Sequence, residues 1–180
     1  MSNGLTLAKQ EFLTDKAKYF SDKKDVYLAL KKLIFEDSSI PFSMIRVCGS
    51  AYWGRSFVTN SEFKPGESDL DVALIDPMLF VRSLSEVRLL TRNFTNLTHF
   101  TSAQPNTPSL FQEYAYKKGI IRLDIMPRTK TKLALDAISL RASRQFQDHF
   151  SRVTFAIYDN EDSFTVKQIK PAEKFKEEAK

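Results

Sequence analysis

The chain has 180 residues, 42% of them hydrophobic, a length and composition that suit one compact domain with a sizeable core. Lys and Arg number 27 against 22 Asp and Glu, and this net charge of +5 permits a phosphate-rich partner without demanding one. One cysteine and two histidines exclude an internal disulfide and an all-protein Cys/His zinc site, so any metal is expected on oxygen ligands. No apolar run approaches the roughly 20 residues that cross a bilayer, and the first ten residues lack the charged-then-apolar plan of a secretory signal. The expectation is a soluble, cytoplasmic protein with no membrane partner.

Taken in chain order, Leu7–Phe20 reads as a short helix. From Asp22 to about Glu36, Val26, Leu30, Leu33 and Ile34 fall at i, i+4, i+7 and i+8, the stripe of an amphipathic helix, with Ser21 or Asp22 as its cap. Met44–Cys48 is short, apolar and partly β-branched, and it stops at Gly49-Ser50, so it reads as a strand feeding a turn; Ala51–Val58 reads as the helix that follows. Thr59–Ser68 has loop composition. Asp69–Ile75 returns to strand character, and Asp76-Pro77 supplies an N-cap and a first-turn proline ahead of the stripe Leu79, Phe80, Leu84, Val87 and Leu90.

Further along, Thr95–Ser102 reads as a strand and Ala103–Pro108 as a loop. Leu110–Tyr116 and Ile120–Met126 read as two strands of a hairpin across Lys117-Lys118-Gly119. Thr131–Phe150 has helical spacing, Val153–Tyr158 reads as the last strand, and Lys167–Lys180 as a frayed or loosely docked helix. The order predicts an α+β (mixed α/β) domain, with a small twisted mixed sheet flanked by helices. Its expected parts are N-terminal helices over residues 1–40, a core over 41–160 and a charged tail over 161–180.

Chemistry concentrates around two short motifs. In an extended strand Asp69 and Asp71 point the same way about 7 Å apart, and two like carboxylates held together call for a hard cation such as Mg²⁺ or Mn²⁺. Asp124 lies between apolar positions 121, 123 and 125, on the face it shares with Arg122. If its strand adjoins Asp69–Ile75 the three acids converge; otherwise Arg122 and Asp124 are the wet face of a half-covered sheet. Gly49-Ser50 after a strand offers amides, a hydroxyl and a close backbone approach to an anion, although alone it is an ordinary turn. Cys48 reads as a small buried residue, His99 and His149 as structural or exposed, and Asp159 with Glu161 as a solvated turn.

Val47-Cys48-Gly49-Ser50-Ala51-Tyr52-Trp53-Gly54, Ser68-Asp69-Leu70-Asp71-Val72-Ala73-Leu74-Ile75 and Leu123-Asp124-Ile125, in that order, resemble the nucleotidyltransferase superfamily with a DNA-polymerase-beta-like catalytic core, of the minimal nucleotidyltransferase type. The likeness covers about residues 44–126. It implies that Gly49 and Ser50 hold the triphosphate of an NTP, ATP first among them, and that Asp69, Asp71 and Asp124 are the catalytic set. These acids would hold two Mg²⁺ or Mn²⁺ ions, with Ser68 opening the second motif at the nucleotide site. The acceptor is left open among RNA, a protein, a nucleotide and a small molecule.

Eighteen residues separate Ser50 from Asp69, so Phe57–Glu67 is expected as an inserted loop. The large helical domain that many relatives place after the core has no room here, which leaves the acceptor to the N-terminal helices, Thr131–Phe150 or a partner subunit. Two rival readings stand beside this one: a nucleotide- or RNA-binding module with the same core but no turnover, and a divergent P-loop phosphotransferase. Gly49–Ser56 matches P-loop spacing except for Arg55 in place of lysine, but Tyr52-Trp53 would crowd such a loop. Arg55 is read as a phosphate contact, with a plain surface cation as its alternative.

Overall fold

The computed structural model describes residues 4, 16–101 and 106–178. It is a mixed α+β fold around a four-stranded sheet in the order β1 (Ile45–Cys48), β2 (Leu70–Ile75), β4 (Val153–Tyr158), β3 (Ile120–Arg122). β2 and β4 run parallel at the centre, while β1 pairs antiparallel with β2 and β3 antiparallel with β4. The helices are α1 (Lys24–Ser38), α2 (Gly49–Trp53), α3 (Pro77–Leu90), α4 (Thr107–Gln112), α5 (Lys130–Gln145) and α6 (Glu161–Glu178).

Strand alternation divides the sheet into two unlike faces. Val47, Leu70, Val72, Leu74, Phe155 and Ile157 share one face and are all buried. α5 lies against that side, where its Ser139 hydroxyl donates to the Val153 carbonyl and its Ser143 hydroxyl accepts from the Val153 amide at 2.8 Å. The other face carries Cys48, Asp71, Ala73, Thr154, Ala156 and Arg122. Here α6 docks by setting Phe164 edge-on to Tyr158, ring centroids 5.2 Å apart.

Several expected elements form for the expected reasons. Leu30, Leu33 and Ile34 of α1 are buried. α3 starts where Asp76 accepts hydrogen bonds from the Met78 and Leu79 amides, both at 2.9 Å, with Pro77 in the first turn. The cap of α1 differs from expectation. Lys23 occupies that position without a side-chain bond, and Asp22 pairs with the Lys23 ammonium instead of capping.

Three segments correct the sequence reading. Leu110–Tyr116 is helical, not a strand, and continues from α4 into a π-helical turn over Glu113–Lys117. Phe111 and Ala115 are the buried pair, and their spacing of four is a helical period. No hairpin therefore precedes β3, and Lys117 and Lys118 lie on a helical turn rather than at a hairpin tip. Residues 95–101 contain turns and no strand; Arg92, Asn93 and Phe94 take left-handed backbone angles in succession and break any extended run. Ser102 and residues 103–105 of the expected loop lie outside the described residues, whereas Thr107 and Pro108 already belong to α4. The helix after β1 is only α2.

At the chain ends, the helix expected over Leu7–Phe20 falls largely outside the described residues, and Lys18–Phe20 form one 3-10 turn. The charged tail is a regular helix from Glu161 onward, seated by the buried Phe164 and Ala172 with Pro171 inside it. Beneath the N-terminal segment, Phe150 is fully buried among Tyr19, Phe20 and Phe63, at ring separations of 5.3, 5.8 and 6.2 Å. Phe150→Ala removes the centre of that cluster and is expected to cost about 3–5 kcal/mol, read from the midpoint of urea unfolding.

Candidate functional site

The site grows from one rung of the sheet. β1 pairs Cys48 with Asp71, and β4 pairs Thr154 with Asp71 on its other side. Gly49 follows at once with φ +66°, and a side chain built on it would overlap the Asp71 carboxylate. Glycine is required here twice over, for the left-handed turn and for the space that Asp71 fills. The Thr154 hydroxyl donates to Asp71 Oδ1 at 2.9 Å and fixes the carboxylate above the rung.

Asp69 sits just ahead of β2. The Leu70 amide donates to the Arg152 carbonyl at 2.7 Å and the Ser151 amide to the Ser68 carbonyl at 3.1 Å, so the starts of β2 and β4 are stitched together. This brings the Ser151 hydroxyl to 2.8 Å from Asp69 Oδ1, and the Arg152 guanidinium onto Oδ2. Asp124 is not on a strand, because β3 ends at Arg122 and residues 123–125 turn. Its carboxylate is gripped by the Arg122 guanidinium through two hydrogen bonds.

Asp69, Asp71 and Asp124 line one cleft of about 430 Å³, together with Arg122, Arg152 and Thr154. The condition set for their convergence is not met, however: β3 does not adjoin β2, because β4 lies between them. Asp71 is on β2 and Asp124 follows β3, so β4 with Thr154 separates the two acids. Among the described residues no three His, Cys, Asp or Glu side chains are grouped closely enough to share a metal ion. The carboxylate oxygens of Asp69 and Asp71 nevertheless suit a hard divalent cation, which would displace the Arg152 guanidinium from Asp69.

Burial in the cleft raises the Asp71 carboxyl above its ordinary pKa although it still reaches solvent; the Thr154 bond opposes this, the charge of Asp69 adds to it and Arg152 again opposes it. Burial likewise pushes the Cys48 thiol up, with the Asp71 charge adding to the effect, which favours the neutral thiol in the cleft wall.

Of the other expected site residues, Gly49 lies against Asp71. Ser50 is half-buried in the first turn of α2 and does not line the cleft. Ser68 accepts from the Lys64 amide at 3.0 Å, which closes the loop ahead of β2. Arg55 is turned away, bonded to Asn60 and stacked over Phe57. Arg55 also enters an isolated bridge with Glu62, so the strand, loop and helix order of a P-loop is not formed. His149 is structural, its Nδ1 2.8 Å from the Tyr19 hydroxyl.

Sequence reading missed Ser151, Arg152 and Thr154, which complete the cleft from a segment some 80 residues after Asp71. It also missed Lys132 and Asp136, an i, i+4 ion pair of α5 on the far wall. No local motif marks these residues; only the parallel pairing of β4 with β2 brings them in. In comparisons with known proteins, the chain matches no family model, no curated protein and no solved structure.

Two stability measurements follow. Gly49→Ala strains the left-handed turn and strikes Asp71, and is expected to lower unfolding free energy by more than about 1 kcal/mol in urea titration. Asp71→Asn keeps an acceptor for Thr154 while removing a carboxylate whose folded pKa lies above its unfolded one. The stability that such a group contributes is complete below the unfolded pKa, about 4, and is lost as pH rises through the folded value. The variant is therefore expected to melt higher than the parent at pH 7, with the difference vanishing near pH 3.

Proposed function

We propose that the protein is a metal-dependent nucleotidyltransferase that moves a nucleoside monophosphate from an NTP, ATP first, to a hydroxyl acceptor. The observation that carries this reading is that Asp69, Asp71 and Asp124 all line one cleft, with Gly49 leaving space for Asp71. The acceptor oxygen forms a bond to the α-phosphorus while the bond from that phosphorus to the α,β-bridging oxygen breaks, and pyrophosphate leaves. A divalent cation bound here would neutralise charge building on the phosphate oxygens and lower the acceptor hydroxyl's pKa.

Within this reading each side chain has a task. Asp69 and Asp71 hold the cation, and Asp124, across the cleft, takes the proton released by the acceptor. Arg152 and Arg122 neutralise Asp69 and Asp124 in the free protein. When those carboxylates find another partner, the two guanidiniums become bidentate donors for phosphate oxygens. The two-ion arrangement implied by the resemblance belongs to the same proposal, with Asp124 completing the second position.

Those same arginine pairs favour a second reading, in which the cleft binds a nucleotide without turnover, because the Asp69 and Asp124 carboxylates are already occupied by guanidinium partners. One experiment separates the two. Purified protein with Mg²⁺ or Mn²⁺ is given α-labelled NTPs together with total RNA, protein extract or free nucleotides. Label is expected to move to one acceptor class, and Asp69→Asn with Asp71→Asn is expected to reduce the rate at least about a hundredfold while the protein stays folded. NTP binding without transfer supports the second reading. Failure to bind any NTP overturns both, and transfer from a γ-label alone would revive the phosphotransferase reading.

A further inference from the structure

A second cavity, of about 620 Å³, lies at the opposite end of β3 and β4 from the carboxylate cleft and is lined by Lys117, Lys118, Lys167, Lys170 and the exposed ring of Tyr116. Asp159 and Asp162 also line it, so lysines outnumber carboxylates two to one. Lys118 is paired with Glu113 at 2.7 Å, but Lys117, Lys167 and Lys170 make no salt bridge among the described residues. These three lysines, set against Asp159 and Asp162, leave the groove a small net positive charge that favours a polyanion.

Tyr114 connects this groove to the cleft. The Lys118 ammonium stands 4.0 Å from its ring centroid, the Arg122 guanidinium 5.1 Å and the Lys167 ammonium 5.7 Å. Arg122 belongs to the cleft wall and the two lysines to the groove, so the cations form one track around a single aromatic ring. The π-helical turn Glu113–Lys117 sets Tyr114 into the track and leaves Tyr116, 52% exposed, beside it. Lysines that follow a backbone, with aromatic faces on which bases stack, are the pairing that single-stranded nucleic acids require.

We propose that this groove binds single-stranded nucleic acid and that the strand's terminal hydroxyl reaches the carboxylate cleft past Tyr114. The proposal rests on the nucleotidyltransferase reading for the role of acceptor, but strand binding is measurable by itself.

The test is fluorescence anisotropy with a labelled oligouridylate of about 12 nucleotides, titrated from low to moderate salt. The parent protein is expected to bind with a strongly salt-dependent affinity. Lys117→Glu with Lys170→Glu, both exposed positions, should weaken binding by at least about tenfold and flatten the logarithmic salt slope by roughly 1.4, two phosphate contacts' worth on a single strand. Tyr116→Ala should weaken it by about fivefold or more with little change in slope. Unaltered urea midpoints keep the variants interpretable.

The proposal is overturned if the parent does not bind, if the variants bind as tightly as the parent, or if polyglutamate competes as well as unlabelled oligouridylate. Asp71→Asn is expected to keep strand binding while losing label transfer. Binding without any transfer by the parent would remove the enzymatic reading and leave the groove standing. Transfer to a small acceptor without strand binding would do the reverse.

Discussion

Everything at the cleft depends on one rung of the sheet, in which Cys48, Asp71 and Thr154 lie side by side on three neighbouring strands. The rung fixes where the carboxylate sits, and the missing side chain of Gly49 leaves the space it occupies. A burial cost is accepted at that point, since Asp71 is held where its charge is disfavoured and a single hydroxyl offsets the effect in part. Residues that a fold holds against their own solvation preference are good candidates for chemistry. The apolar face beneath, filled by Val72, Leu74, Phe155 and Ile157, supplies the rigidity that makes this possible.

Electrostatic balance around the rung is settled by two arginines. Arg152 enters from the start of β4 and Arg122 from the end of β3, so each arm of the antiparallel pair delivers one guanidinium to one aspartate. Neither pair is deeply buried, and in open solvent such pairs contribute little to stability. In the proposed function they place guanidinium donors where a polyphosphate would lie.

Much of this was legible from local pattern. The Asp76-Pro77 start of α3, the buried stripe of α1 and the spacing of Gly49 ahead of Asp69 and Asp71 are all read within a dozen or two residues. What local pattern could not reveal was order across the sheet. That β4 would enter between β2 and β3, and so put Thr154 between two aspartates, depends on a crossover of nearly 80 residues. Leu110–Tyr116 misled for a different reason: its aromatic residues satisfy both a strand count and a helical one. The cluster of Phe94, Phe100 and Phe111 decides for the helix, because it buries Phe111 with Ala115 one turn on. Arg55 shows the same limit, since its sequence position suggested a ligand contact while Asn60 and Phe57, only a few residues on, hold it elsewhere.

Both margins of the sheet are brief. β1 spans four residues before Gly49 turns the chain into α2, and β3 spans three before it breaks at Leu123. Neither offers a long row of free amides and carbonyls, so the molecule presents little template for stacking sheet upon sheet with its neighbours. The turns that carry the proposed chemistry thereby also guard the protein against fibrous self-association.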